Sequence, residues 1–264
     1  LIQRTDALGN VTAYTYDAAG NLASMTDPLG SVTWYTYDSV GNRMSQTDPL
    51  GHVTFYTYDP NGNRLTETVT RTTPSGVITM TTQYVYDSQD RLVQTIQPDG
   101  SVVSTEYDAV GRKVATIDPL GNRTAYEYDA RGNRIRIVYP DGTQERFAYD
   151  AEDNRISLTN RAGQVTTYTY DAVDQLVMTT YADGAVTQQE YDAVGQVTRE
   201  LDARGNATGY EYDAAGRTIT VTDALSNTTV YAYDGNGSVT QMTDANGHVT
   251  TYEYDANKRL TRTI

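Results

Sequence analysis

The dipeptide Tyr-Asp returns every 21 residues, and nothing else in this chain restricts its fold so strictly. It occurs at Tyr16, Tyr37, Tyr58, Tyr86, Tyr107, Tyr128, Tyr149, Tyr170, Tyr191, Tyr212, Tyr233 and Tyr254, and the single exception in spacing, from Tyr58 to Tyr86, is 28 residues. A fixed period of this length is the signature of tandem supersecondary units, each too small to bury its own apolar face. A second aromatic precedes the first by two residues in most units: Tyr14, Tyr35, Tyr56, Tyr84, Tyr126, Phe147, Tyr168, Tyr210, Tyr231 and Tyr252, with Thr105 and Gln189 as the exceptions. Aromatics at i and i+2 share one face of a β-strand, whereas on a helix they would point about 200° apart. The intervening residues agree, as in Val11-Thr-Ala-Tyr-Thr-Tyr16, which is rich in strand formers.

Reversals bracket each strand. Asp17 is followed three residues on by Gly20, and the same pair recurs as Asp38 and Gly41, Asp59 and Gly62, Asp129 and Gly132, and Asp213 and Gly216. Asp leading and Gly closing is the pattern of a type I turn, in which the carboxylate accepts from nearby amides and Gly takes a positive φ. Asp90, Asp153, Asp174 and Lys258 replace the Gly in four units. About ten residues later a second reversal reads Asp27-Pro28-Leu29-Gly30, Asp48-Pro49-Leu50-Gly51 or Asp118-Pro119-Leu120-Gly121. Pro98-Asp99-Gly100 and Pro140-Asp141-Gly142 read as shorter forms of it. Each unit is therefore strand, turn, strand, turn, with no room for a helix.

The expected fold is all-β: tandem 21-residue β-hairpin repeats forming one long curved antiparallel sheet over residues 1–264, about twelve repeats and roughly 24 strands. At strand spacing that ribbon runs roughly 115 Å, and accumulated twist makes a sheet of that size curve, coil or wrap. Aliphatics of the second strand (Met44, Leu65, Val114, Ile135, Ile156, Ile219) join the tyrosine face only if the register allows, which sequence leaves open. The long unit, 66–86, reads as an extended hairpin insertion, lengthened by about one residue pair or somewhat more around Pro74-Ser75-Gly76. Ile78 and Met80 fall on its tyrosine face. Trp34 and Phe55 precede the tyrosine pairs by one residue, so they point to the opposite face. These four are the candidate partner contacts. The chain opens and stops within a unit, which leads us to expect a piece of a longer protein.

Composition narrows function. The net charge of −14 repels nucleic acid and anionic membrane surfaces, though most of the acids are Asp at turn positions. The absence of Cys removes disulfides and thiolate sites, and no run of 18 apolar residues supplies a membrane span. His52 and His248 sit in turns where Asn is usual, far apart in sequence. The Asp residues recur at the repeat period, which fits turn capping rather than one acid–base dyad. No nucleophile elbow, phosphate loop, metal site or cofactor motif is present, and we expect no enzyme.

The motif Gly-Asn-x-Thr-x-Tyr-x-Tyr-Asp-Ala-x-Gly-Asn-Arg-Leu, nearly complete at 51–65 and 121–135, resembles the Rhs/YD-repeat family along the whole chain. That family includes bacterial polymorphic toxins, the B and C components of insecticidal Tc toxins, wall-associated proteins and teneurins. The resemblance implies a β-sheet strip wound into a hollow shell, enclosing a C-terminal toxin or effector until delivery. It implies a secreted or cell-surface bacterial protein whose partners are its own adjacent repeats and an enclosed toxin domain or secretion-system component. A surface fibre or wall-associated module, binding glycan through Trp34 and rows of Tyr, is the alternative. The family's autoproteolytic aspartyl site has no counterpart after Asp255, so no cleavage residues are carried over.

Overall fold

In a computed structural model, which describes every residue except Leu1, Ala7 and Ser75, the protein is all-β. Most of its 25 strands among the described residues alternate between a six-residue strand ending in the Tyr of a Tyr-Asp pair and a five-residue return strand, as in Val11–Tyr16 and Leu22–Thr26. One more strand than expected arises because Gln3–Thr5 already pairs antiparallel with Val11–Tyr16. The chain divides into two units, Leu1–Tyr126 and Glu127–Ile264. Within the first, strands from Gln3–Thr5 onward pair antiparallel with their sequence neighbours; within the second, strands from Arg134–Val138 to Leu260–Thr263 do the same.

The turns form because their residues supply both the bend and the bonds. Gly20 N–H donates to Asp17 O at 3.0 Å, and Asp17 N–H donates to Asn21 O at 2.9 Å. This is a type I turn followed by a left-handed residue, a standard hairpin closure. Gly20 lies at φ 88°, where a Cβ would be strained. Asp90, Asp153, Asp174 and Lys258 adopt the same region with φ between 60° and 69°, as does Ser226 at 65°. The Pro98 and Pro140 turns are not shorter, contrary to expectation. Gly100 N–H reaches Gln97 O and Gly142 N–H reaches Tyr139 O, both at 2.9 Å, so each is a four-residue turn. Asp99 and Asp141 have moved to the third place, and there they accept from Ser101 and Thr143 N–H.

Register settles the face of the aliphatic positions. Tyr14 stands opposite Met25, Phe147 opposite Leu158, Tyr210 opposite Val221 and Tyr231 opposite Met242. At the next step the hairpins closed by a Tyr-Asp turn carry a bulge, as where Tyr37 pairs with Arg43 and Thr36 with Ser45, leaving Met44 without an opposite residue. Leu65, Val114, Ile156 and Ile219 are skipped in the same way. A bulge of this kind bends the strand and increases its twist.

The long hairpin is built of Arg64–Thr73 and Gly76–Tyr86, 10 and 11 residues where the first hairpin has 6 and 5. Its ladder runs unbroken from Thr66↔Gln83 to Thr73↔Gly76, so the extension exceeds one residue pair. Ser75 lies outside the described residues. With the layer one sheet thick, few side chains are deeply enclosed. The buried apolar residues among those described are Tyr56, Ala115 and Ile137.

Candidate functional site

The repeated residues form three interlocking sets of contacts. The first is the turn carboxylate. Asp17 Oδ1 accepts from the backbone N–H of Ala19 and of Asn21, at 2.9 and 2.8 Å, and its Oδ2 accepts from Asn21 Nδ2 at 3.0 Å. Asp38 and Asp59 repeat the arrangement with Asn42 and Asn63. Asp129 does so with Asn133, and Asp213 uses Arg217 Nε instead. Hydrogen bonds from Asn21 and Asn63, more than any charge, hold the Asp17 and Asp59 carboxyls below the usual carboxylate range; for Asp213 the leading cause is Arg217. His52 and His248 serve in place of this Asn, each with Nδ1 within 2.9 Å of Asp48 or Asp244.

The second set is the hydroxyl of the Tyr-Asp tyrosine. It donates to the carbonyl that opens the preceding return strand: Tyr58 to Arg43 O at 3.0 Å, Tyr212 to Val197 O at 2.7 Å and Tyr233 to Thr218 O at 2.7 Å. Tyr86, Tyr107, Tyr149, Tyr170 and Tyr191 do likewise. Burial pushes the Tyr58 and Tyr86 hydroxyls above their ordinary pKa. The first aromatic position is less strict, and Phe147, Thr105 and Gln189 are accommodated there.

The third set was not anticipated. Arg43 lies 5.7 Å from the Tyr35 ring centroid and 5.0 Å from that of Tyr56, and Arg64 lies 5.6 Å from Tyr56 and 4.9 Å from Tyr84. Tyr56 is thereby enclosed between two guanidinium groups and is 6 % exposed. Arg134 covers Phe147 and Arg155 covers Tyr168 in the same manner. The signal was present: these arginines follow Gly-Asn or, for Arg155, Asp-Asn at the start of the return strand. The left-handed acids also have a partner that sequence did not reveal. Asp90, Asp153 and Asp174 accept from Asn63, Asn133 and Asn154 of the preceding turn.

The family described as RHS Repeat matches residues 1–32, 37–78, 107–144, 149–186, 191–228, 212–248 and 233–264. The chain belongs to the RHS repeat family. The RHS match follows the Tyr-Asp period through most of the sequence. No curated protein matches the chain. Among solved structures, the RHS chain is similar to the crystal structure of TcdB2-TccC3-Cdc42, with 15 % identity, a TM-score of 0.49, and coverage of 97 % of this chain and 19 % of that one. It is also similar to the Tc holotoxin pore of Photorhabdus luminescens, with 16 % identity, a TM-score of 0.35, and coverage of 96 % and 19 %. The chain thus spans 19 % of the length of these solved chains.

Within the RHS array, the candidate contact residues separate onto two faces. Trp34 stands opposite Ser24 and Thr47, and Phe55 opposite Ser45 and Thr68. Both rings therefore occupy the face away from the tyrosines, with strand Arg43–Thr47 between them. Ser24, 3 % exposed, is bonded to Thr15 at 2.7 Å, and Ser45 to Thr36 at 2.7 Å, so a hydroxyl ladder runs beneath the aromatics. Ile78 and Met80 lie opposite Arg71 and Val69, in step with the tyrosine face. The fold does not bring the four into one site.

Proposed function

We propose that residues 1–264 are a non-catalytic stretch of a β-shell wall, which surrounds a C-terminal toxin or effector and protects it until delivery outside a bacterial cell. The supporting observation is the architecture of the RHS repeats themselves. Among the described residues of each unit, hairpin joins hairpin through consecutive strands, and both faces of the layer stay largely solvent-accessible. A sheet one layer thick separates two spaces and has no interior of its own in which to build a reaction centre. The turn carboxylates are occupied by their own amides, and the tyrosine hydroxyls by neighbouring carbonyls, so the recurrent polar groups serve the wall.

The test is limited proteolysis of the gene product carrying this array. Sequence beyond the repeats should resist protease in the intact product and be digested once separated from residues 1–264. A product with nothing beyond the repeats, or with equally labile flanking sequence, would sink the reading.

A surface-adhesive role is favoured by one observation. Trp34, 56 % exposed, borders a shallow groove with Leu29, Ser31, Asp48 and Pro49. An exposed indole beside carboxylate and hydroxyl groups suits a sugar ring. Glycan-array binding abolished by Trp34→Ala would support it, and no retention of any glycan would count against it.

A further inference from the structure

Two hairpins carry an acid on the tyrosine face opposite the first aromatic position, and their surroundings differ. In one, Glu67 stands opposite Tyr56. Its cation is three residues back: Arg64 Nη1 lies 2.8 Å from Glu67 Oε2, and the same guanidinium covers Tyr56 and Tyr84. In the other, Glu200 stands opposite Gln189 in the same register. Here Val197 occupies the place of Arg64 and Gln189 the place of Tyr56. Cation and ring are both missing, and the carboxylate remains.

The space they leave is a cavity of about 410 Å3 bordered by Leu176, Val177, Thr179, Gln189, Glu200 and Thr208. Glu200 is held firmly within it. Gln189 Nε2 donates to Oε1 at 2.9 Å, and the Tyr210 hydroxyl donates to Oε2 at 2.9 Å. The Tyr191 hydroxyl lies 2.9 Å from both Leu176 O and Gln189 Oε1, so its one proton is shared between the two acceptors. Each carboxylate oxygen has accepted one such bond and can accept another. Arg199, the adjacent cation, pairs with Glu190 at 2.9 Å on the opposite face.

We propose that this cavity binds the guanidinium group of an arginine presented by a partner polypeptide, supplying to Glu200 what Arg64 supplies to Glu67. The planar fork of arginine matches two carboxylate oxygens, which an ammonium does not. Leu176 and Val177 offer apolar surface for its methylene stem. The inference stands independently of the shell reading.

The experiment titrates the chain with the capped peptide acetyl-Gly-Arg-Gly-amide and with its citrulline counterpart, following the Gln189 side-chain amide by NMR. The wild-type chain should show a saturable shift with the arginine peptide alone. Glu200→Gln should weaken binding by on the order of tenfold or more, the scale of one lost charge-assisted bond. Val197→Arg, which restores a resident cation, should abolish binding while leaving the acid in place. Glu190→Gln, on the other face, should bind as wild type does, and retained amide dispersion verifies that each variant is folded. Absence of a saturable shift in the wild type, equal binding of the citrulline peptide, or undiminished binding by either Glu200→Gln or Val197→Arg overturns the proposal.

Discussion

At the scale of the residue, each recurrent side chain has a distinct physical duty, and three measurements separate them. The Tyr-Asp tyrosine is present for its hydroxyl. Tyr212→Phe keeps the ring but removes the 2.7 Å bond to Val197 O. It should cost about 1 kcal/mol in chemical denaturation. The turn aspartates respond to acid. Asp118, lowered chiefly by its bond from the Asn122 side chain, binds fewer protons when folded than when unfolded. Its contribution is present above the unfolded carboxylate pKa of about 3.9 and is lost as pH falls through the lower folded value. The same sign holds for Asp17, Asp59 and Asp213. Thermal midpoints should therefore fall steeply below about pH 4. Asn160 makes the same backbone bonds without charge, accepting from Ala162 and Gln164 N–H at 3.0 Å. Asp118→Asn should accordingly leave neutral-pH stability nearly unchanged and make the acid limb shallower. Left-handed strain is the third effect. Ser226, at φ 65°, makes no side-chain bond among the described residues comparable with that of Asp90, so Ser226→Gly should gain about 1 kcal/mol in a denaturant titration. Asp90→Gly should gain less, because it forfeits the bonds from Asn61 and Asn63.

At the scale of the element, the long hairpin differs from the others in having an open edge. Strand Gly76–Tyr86 pairs with Arg64–Thr73 throughout its outer half, but its pairing with Leu92–Ile96 begins only at Gln83. Among the described residues, 76–82 therefore present one unpaired backbone edge. The segment from Val77 to Thr82 is uncharged and strand-forming, and Val77, Ile78 and Met80 are exposed. Such an edge templates further strands unless a charge interrupts it. We expect association that rises with concentration in sedimentation velocity, and its suppression by Thr79→Lys; identical profiles for the two proteins would contradict this. Sequence left its exact length open because a strand has no internal stop signal. The extra residue pairs cost nothing locally, and only the partner strand decides where the ladder ends.

At the scale of the whole molecule, stability is a sum over neighbours, since every strand contact joins consecutive strands within a unit. Removing 239–264 should reduce the far-UV β signal in proportion to 26 of 264 residues and leave the preceding hairpins folded. Collapse of the entire signal would show a cooperativity that this connectivity does not provide. The hairpins, their turns and the two faces were legible in sequence because each depends on local terms. Side-chain direction alternates with every strand residue, and Asp and Gly set the turn dihedrals within four residues. Asp17 and Gly20 needed nothing distant to declare themselves. The arginine column and the cavity beside Glu200 were not legible, because Arg43 meets Tyr56 and Gln189 meets Glu200 only after strands have paired.

The sequence by itself therefore determined the strand order, the chemistry of the reversals and the family. Tertiary structure decided the register, through a bulge that leaves Met44 and Leu65 unpaired and sets Met25 or Glu67 opposite a tyrosine. The reason is physical: a one-residue slip exchanges the faces of an entire strand at no local cost. Only contacts between strands, such as the tyrosine hydroxyl on the preceding carbonyl and the guanidinium between two rings, distinguish one register from the next.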